Sequence, residues 1–204
     1  MERVIVYIDG FNLYFGLREK NWRRYLWLNL YKLSESVLKE DQKLQSVKYF
    51  TSRVRKPPDK SKRQAQFIEA LETIEQIQIF YGHYLINSIE CKKCGNIFPK
   101  PNEKMTDVNI AVEMLTDAFE DNYDTALLIS ADSDLSGPIK KIKTLFPKKR
   151  IIVAFPPARS SFALQQLAHA SFTIGRKKLK DSQFPDKVKK KDGYILSRPE
   201  KWKY

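Results

Sequence analysis

The chain has 204 residues, 42% of them apolar, which is enough for one compact domain with a sizeable core and too few for two full domains. No apolar run approaches the roughly 20 residues that cross a bilayer, the start of the chain leaves no room for a secretory signal, and two cysteines without an export signal point to a reducing cytoplasm and no structural disulfide. The net charge of +13 is segregated: residues 1–136 carry 19 Lys+Arg against 20 Asp+Glu, while residues 137–204 carry 18 against 4, a basic field that suits a polyanion, nucleic acid first, better than a membrane.

Short β-branched or aromatic runs at residues 4–8, 47–51, 77–81, 126–130 and 151–155 alternate with helical patterns, so the expected fold is α/β with a central, mainly parallel sheet of about five strands. The first run ends in Asp9-Gly10-Phe11-Asn12, with Tyr14 and Phe15 just beyond. The second is followed by Arg53, Arg55 and Lys56, placed for phosphate contacts, and by Pro57-Pro58, which opens a helix over residues 59–76 with Phe67, Leu71 and Ile74 inward. After the third run, Cys91-Lys92-Lys93-Cys94-Gly95 reads as a loop insertion. A helix over residues 106–121 follows, with Thr106 as N-cap, Asp107 in its first turn and an apolar stripe of Val108, Ala111, Val112, Leu115 and Phe119. The fourth run ends in Ser130-Ala131-Asp132-Ser133-Asp134, and the helix after it carries Lys140 and Lys141. Beyond the fifth run, His169 falls in an apolar helix over residues 162–170 and is expected to be structural. Residues 1–178 then form the domain, and residues 179–204 a basic, irregular tail that wraps it through Phe184, Tyr194, Ile195 and Trp202.

Ligands of an open parallel sheet bind beyond the carboxyl ends of its strands, where this chain places Asp9 and Asp132. The start of the Asp107 helix lies on the same edge, because its other end feeds the fourth strand. Clustered carboxylates repel unless a cation or a proton intervenes, and an oxygen-only set suits Mg²⁺ or Mn²⁺. Each acid alone also suits a plain structural role: Asp9-Gly10 as a turn, Asp107 at the positive end of its helix, Asp132 or Asp134 as a cap. Three loops bringing acids to one edge favour the metal reading.

Cys91 and Cys94 have the spacing of half a zinc site, and two readings stay open. The remainder could come from His83 or from the matching pair of a second copy in a homodimer. The favoured alternative is a metal-free loop or reactive thiol pair. Serine hydrolase, dinucleotide and P-loop motifs are absent from the sequence.

The string Val6-Tyr7-Ile8-Asp9-Gly10-Phe11-Asn12-Leu13-Tyr14 resembles the opening motif of NYN domain proteins, the LabA-like or DUF88 group of the PIN-like nuclease superfamily. Glu103-Lys104-Met105-Thr106-Asp107-Val108-Asn109 resembles the second motif, and Ile129-Ser130-Ala131-Asp132-Ser133-Asp134-Leu135 the third. Tyr49-Phe50-Thr51-Ser52-Arg53-Val54 and Ser182-Gln183-Phe184-Pro185 are similar to bacterial members, so the resemblance covers most of the chain. Many relatives carry Gly at the position of Met105 and Asn at that of Ala131. The resemblance implies a PIN-like three-layer α/β/α sandwich with Mg²⁺ or Mn²⁺ on Asp9, Asp107 and Asp132. Asn12 and Asp134 are supporting polar groups, and Ser130 bonds a ligand or the phosphate.

The expected activity is phosphodiester hydrolysis, on RNA rather than duplex DNA because no groove-reading motif is present, with Lys104, Lys140 and Lys141 joining Arg53, Arg55 and Lys56 on the substrate. Phe11, Tyr14 and Phe15 offer faces to unpaired bases, although core packing is expected for at least two of them. The alternatives are a non-catalytic RNA-binding or regulatory module and, behind it, a small-molecule enzyme on the same scaffold.

Overall fold

The computed structural model describes the backbone of residues 1–204 and the side chains of all but residues 84–87 and 98–103. Its elements in chain order are β1 (Glu2–Asp9), α1 (Gly10–Glu19), α2 (Leu30–Val37), β2 (Gln42–Ser52), α3 (Pro58–Leu71), β3 (Ile77–Glu90), β4 (Ile97–Lys104), α4 (Thr106–Phe119) and β5 (Thr125–Ile129). There follow α5 (Ser136–Leu145), β6 (Arg150–Phe155), α6 (Phe162–Leu167), β7 (Ala170–Thr173), α7 (Arg176–Asp181), β8 (Lys187–Lys189) and β9 (Ile195–Ser197). The main sheet runs β4-β3-β2-β1-β5-β6-β7, parallel throughout except for β4, and β8 pairs with β9 in a separate hairpin. No helix among the described residues is long and apolar enough to cross a membrane.

The five expected strands are all present, and the sheet has seven because β4 and β7 extend its two edges. The Cys91 segment, read from the sequence as a loop insertion, lies at the turn of the β3–β4 hairpin. Strand alternation in β1 feeds two cores. Val4, Val6 and Ile8 point to the face covered by α1, α2, α3 and the C-terminal segment, with Leu17, Trp27, Leu33 and Leu71 buried there. Ile5 and Tyr7 point to the face covered by α4, α5 and α6, with Ile110, Met114, Ile139 and Leu164.

Residues 179–204 are less irregular than their composition suggests. Phe184, Val188, Leu196 and Trp202 are buried in the first core, where Trp202 sits 6.4 Å from Trp27 and 6.1 Å from Phe67 between ring centres. Tyr194 and Ile195, expected to pack with them, are exposed at the β8–β9 hairpin. His169 lies beyond the end of α6, and its Nδ1 accepts the Ile151 amide at 3.0 Å, a structural role at the β6 edge.

α4 turns a different face inward from the one its apolar stripe suggests. Val108, Val112 and Phe119 are 52%, 53% and 80% exposed, while Ile110, Met114, Asp117 and Ala118 are buried. The reason is polar: Lys48 Nζ of β2 meets Asp117 at 2.6 Å and Glu113 at 2.7 Å, and the Tyr7 hydroxyl donates to Asp117 at 2.6 Å. Burial, and then the Asp117 charge, push the Tyr7 hydroxyl pKa upward.

Removing one partner of this buried network leaves an uncompensated charge. Lys48→Met is expected to cost about 3–5 kcal/mol in urea unfolding, and adding Asp117→Leu and Glu113→Gln should recover much of it. A second prediction concerns Asp124, which receives the Arg3 amide at 2.8 Å and the Arg3 guanidinium at 2.7 Å and so ties the starts of β1 and β5. Those bonds hold its carboxyl at about 2. A depressed carboxylate contributes stability above its unfolded value, about 3.9, and loses it as pH falls through the folded value. Asp124→Asn should therefore lower the urea midpoint at pH 7, with the difference from wild type shrinking as pH falls below the unfolded value and only a small part of it left near pH 2.

Candidate active site at the carboxyl edge of the sheet

The sheet order reverses at β1, with β2 on one side and β5 on the other, so the crevice of a doubly wound sheet opens beyond the carboxyl ends of β1 and β5. Asp9 is the last residue of β1 and only 2% exposed. Its Oδ1 accepts the Asn12 amide at 3.0 Å and caps α1, while its Oδ2 accepts the Asn12 side-chain amide at 2.6 Å and the Ser130 hydroxyl at 2.9 Å. Gly10 must be glycine: a Cβ there would lie 2.7 Å from the Phe50 carbonyl and 2.7 Å from the Tyr49 hydroxyl.

Ser130, fully buried after β5, links the first acid to the second, because its Oγ accepts the Asp132 amide at 3.1 Å. The Asp132 side chain accepts the Asp134 amide at 3.0 Å and caps the short 3₁₀ turn Ser133–Leu135. Asn12 Oδ1 closes the loop through the Ala131 amide at 3.4 Å. Asp9 and Asp132 thus carry out the structural tasks of turn and cap and also share one hydrogen-bonded network. Burial raises the Asp9 pKa, hydrogen bonds from Asn12 and Ser130 pull the other way, and the Asp132 charge adds to the rise. A buried carboxylate facing a second one favours an added cation or proton.

Of the expected set, Asp9, Asn12, Ser130 and Asp132 are joined in this way, with Asp134 exposed beside them. Asp107 stands half-buried in the first turn of α4, and no three Asp, Glu, His or Cys of the described residues lie close enough together to hold a metal ion as they stand. Thr106 is not the N-cap: that position is Met105, in the left-handed region at φ 78°. Glu103 of the second motif falls outside the described side chains.

The expected cations separate into groups. Arg53 lies over the Tyr81 ring at 4.7 Å and donates to its hydroxyl at 3.1 Å. Arg55 and Lys56 border a cavity of about 650 Å³ between α1 and α3, next to Gly10. Lys104 is exposed at the root of the β3–β4 hairpin, and Lys140 and Lys141 are exposed on α5. The cavity brings in residues that sequence reasoning missed: Arg18, Lys60, Arg63, Tyr49 and Trp202 line it with Phe11, Tyr14 and Phe15. Lys60 and Arg63 lie three apart on α3, a readable signal for one helix face, whereas nothing local marks Trp202. The lining has five cations and no carboxylate, and of the three α1 aromatics Phe15 is 41% exposed. His83, at the hairpin root, is eight residues of extended chain from Cys91, roughly 26 Å, and so cannot complete a site with the cysteines of its own arm.

These features define an α/β domain with an acidic edge built around the buried Asp9 and an adjoining cavity bordered by cations and aromatic rings. The chain belongs to the NYN domain family, whose model matches residues 3–175. It is 28% identical over 175 residues to 6-hydroxy-3-succinoylpyridine 3-monooxygenase HspA of Pseudomonas putida, a match covering 69% of this chain and 55% of that protein, so the chain spans about half the length of this curated relative. A crystal structure of a protein of unknown function from Vibrio parahaemolyticus matches with a TM-score of 0.58 at 19% identity, over 86% of this chain and 94% of that one, which shows a shared fold.

Met105 offers a test of the local geometry. Its left-handed backbone costs an L residue roughly 1–2 kcal/mol, and glycine removes the strain at the expense of a more flexible unfolded chain. Met105→Gly should raise stability by about 0.5–1 kcal/mol, seen as a higher urea midpoint with an unchanged slope.

Proposed function

We propose that the protein is a metal-dependent nuclease that hydrolyses phosphodiester bonds of single-stranded RNA. The observation that carries this reading is the network joining Asp9 and Asp132 through Ser130 at the switch point of the sheet, beside a cavity lined by cations and aromatic rings. By donor type the set suits a hard divalent ion: Asp9 and Asp132, joined by Asp107 once its side chain moves closer than it stands here, would hold Mg²⁺ or Mn²⁺ with oxygen donors and neither sulfur nor imidazole among them. Such an ion, when bound, neutralises phosphate charge and lowers the pKa of water.

The chain's own groups supply positioning. Ser130 and Asn12 fix the orientation of Asp9, which leaves one geometry for whatever it binds. Arg55, Lys56 and Lys60 present positive charge to the backbone of a bound strand, and Phe15 offers a face to an unpaired base, a contact worth about 1–3 kcal/mol. Asp134, exposed beyond Asp132, would accept a hydrogen bond from an incoming water.

One observation favours a second reading. The cavity volume lies in the range of small-ligand pockets, and the Pseudomonas relative is named as a monooxygenase of a pyridine compound bearing a succinoyl group. Under that reading the cavity binds an aromatic acid, and RNA is not cleaved.

Labelled single-stranded RNA incubated with the purified protein and Mn²⁺ or Mg²⁺ distinguishes the two. Cleavage is expected that requires the metal, falls to background in Asp9→Asn and Asp132→Asn, and drops about 10- to 100-fold in Ser130→Ala, which leaves both acids in place but loosens Asp9. Equal cleavage by wild type and both Asn variants would reject the site. Absence of cleavage together with saturable binding of an aromatic acid would favour the second reading.

A further inference from the structure

The β3–β4 hairpin leaves the body of the sheet. β3 pairs with β2 only as far as Gly82, and from His83 to Glu90 its partner is β4 alone. Eight residues at about 3.3 Å each carry the tip roughly 26 Å past the last β2 contact. A two-stranded ribbon of this kind has little stability by itself in water.

At the tip the chain reads Cys91-Lys92-Lys93-Cys94-Gly95-Asn96, and its backbone is tightly folded. The Gly95 amide donates to the Cys91 carbonyl at 2.9 Å, and the Cys91 amide donates to the Asn96 carbonyl at 2.8 Å. Gly95 takes the left-handed conformation at φ 68°, which a side chain would resist. The amides of Lys93 and Cys94 and the Cys94 thiol bond to the Cys91 sulfur, which lowers the pKa of that thiol. Both cysteines are free, Cys91 half-buried and Cys94 exposed. Two thiols three residues apart in a turn that directs amides at a sulfur form a preorganised pair of ligands for one edge of a tetrahedron. Glu90 lies beside Gly95, yet it does not make a metal-holding group with the two thiols, and no other Cys, His, Asp or Glu of the described residues does so.

We propose that Cys91 and Cys94 form half of a four-thiolate zinc site, and that a second copy of this chain supplies the other half, so that one zinc ion joins two protomers tip to tip about a two-fold axis. A tetrahedral structural zinc site takes four ligands, and a two-fold axis repeats the same pair on both sides. The length of the arm lets the tips meet while the domains stay apart. Zinc with four thiolates carries a net charge of −2, and Lys92 and Lys93 from both copies surround it with positive charge. Any thiol still protonated loses its proton to the buffer as the zinc–sulfur bond forms, and no electron is transferred. β4 runs directly into Met105 and the first turn of α4, so a clamp at the tip steadies the arm whose root carries Asp107. The site is independent of the hydrolytic reading.

The test uses the full chain, purified reduced and supplied with zinc sulfate, with mass measured by light scattering and zinc by elemental analysis. The expected result is one zinc per two chains at twice the 23.9 kDa chain mass, with dimer and metal lost together in EDTA. Cys91→Ser and Cys94→Ser should be monomeric and zinc-free with an unchanged circular dichroism spectrum, since the tip is remote from both cores. Cobalt in place of zinc should give the visible and thiolate charge-transfer bands of a tetrahedral four-sulfur centre. One zinc per chain on a monomer, a dimer that survives EDTA or both serine substitutions, or no zinc uptake by the reduced protein would each overturn the proposal.

Discussion

A carboxylate buried at the end of the central strand must be satisfied, and the way Asp9 is satisfied organises one edge of the molecule. Oδ1 takes the Asn12 amide and starts α1, and Oδ2 takes Ser130 from the end of β5. Two neighbouring strands and a helix are thereby referred to one side chain. The next residue then has to be Gly10, because α1 begins against the Phe50 carbonyl and the Tyr49 ring. The cap that makes the chain turn and the acid that joins Ser130 and Asp132 in one network are the same side chain.

The opposite face of the sheet has its own buried charge. Lys48 projects from β2 into the second core and draws Asp117 and Glu113 of α4 onto it, with Tyr7 of β1 bonded to Asp117. A pair taken out of water in this way gains little net stability, but it fixes the rotation of the helix, since only one face carries both acids. Asp107 lies ten residues before Asp117, about 15 Å along the helix axis. The rotation set by the ion network therefore also sets the direction in which Asp107 projects, linking the second core to the acidic edge.

Much of the fold could be read from the sequence because β1, β5 and β6 are continuous apolar runs, as strands covered on both faces must be. β4 could not. Its sequence contains Pro99 and Pro101, which argue against a strand anywhere except at an edge, and an edge is where it lies. The inward face of α4 differs from its apolar stripe because a buried Asp117 counts as polar in any periodicity, and its Lys48 partner is 69 residues away. The acids at Asp9 and Asp132 were legible as strand ends. The cavity was not, since Trp202 reaches it across almost the whole chain.

Charge gives the clearest contrast between sequence and space. Along the chain the positive excess belongs to the last third, which suggests an arm for polyanions. In three dimensions Lys190 reaches Glu69 at 2.9 Å, Lys191 reaches Glu75 at 2.7 Å, and Lys201 reaches Asp59 at 3.0 Å. Exposed pairs of this kind add little stability, but they place the tail lysines against acids from the first half of the chain and reduce the field they project. Arg55, Lys56 and Lys60, which come from the nearly neutral part of the sequence, have no ion pair among the described residues and border the cavity beside Asp9. The cations nearest the acidic edge thus come from the loop after β2 and the start of α3, and ion pairing to acids from earlier in the chain offsets only part of the charge segregation visible in the sequence.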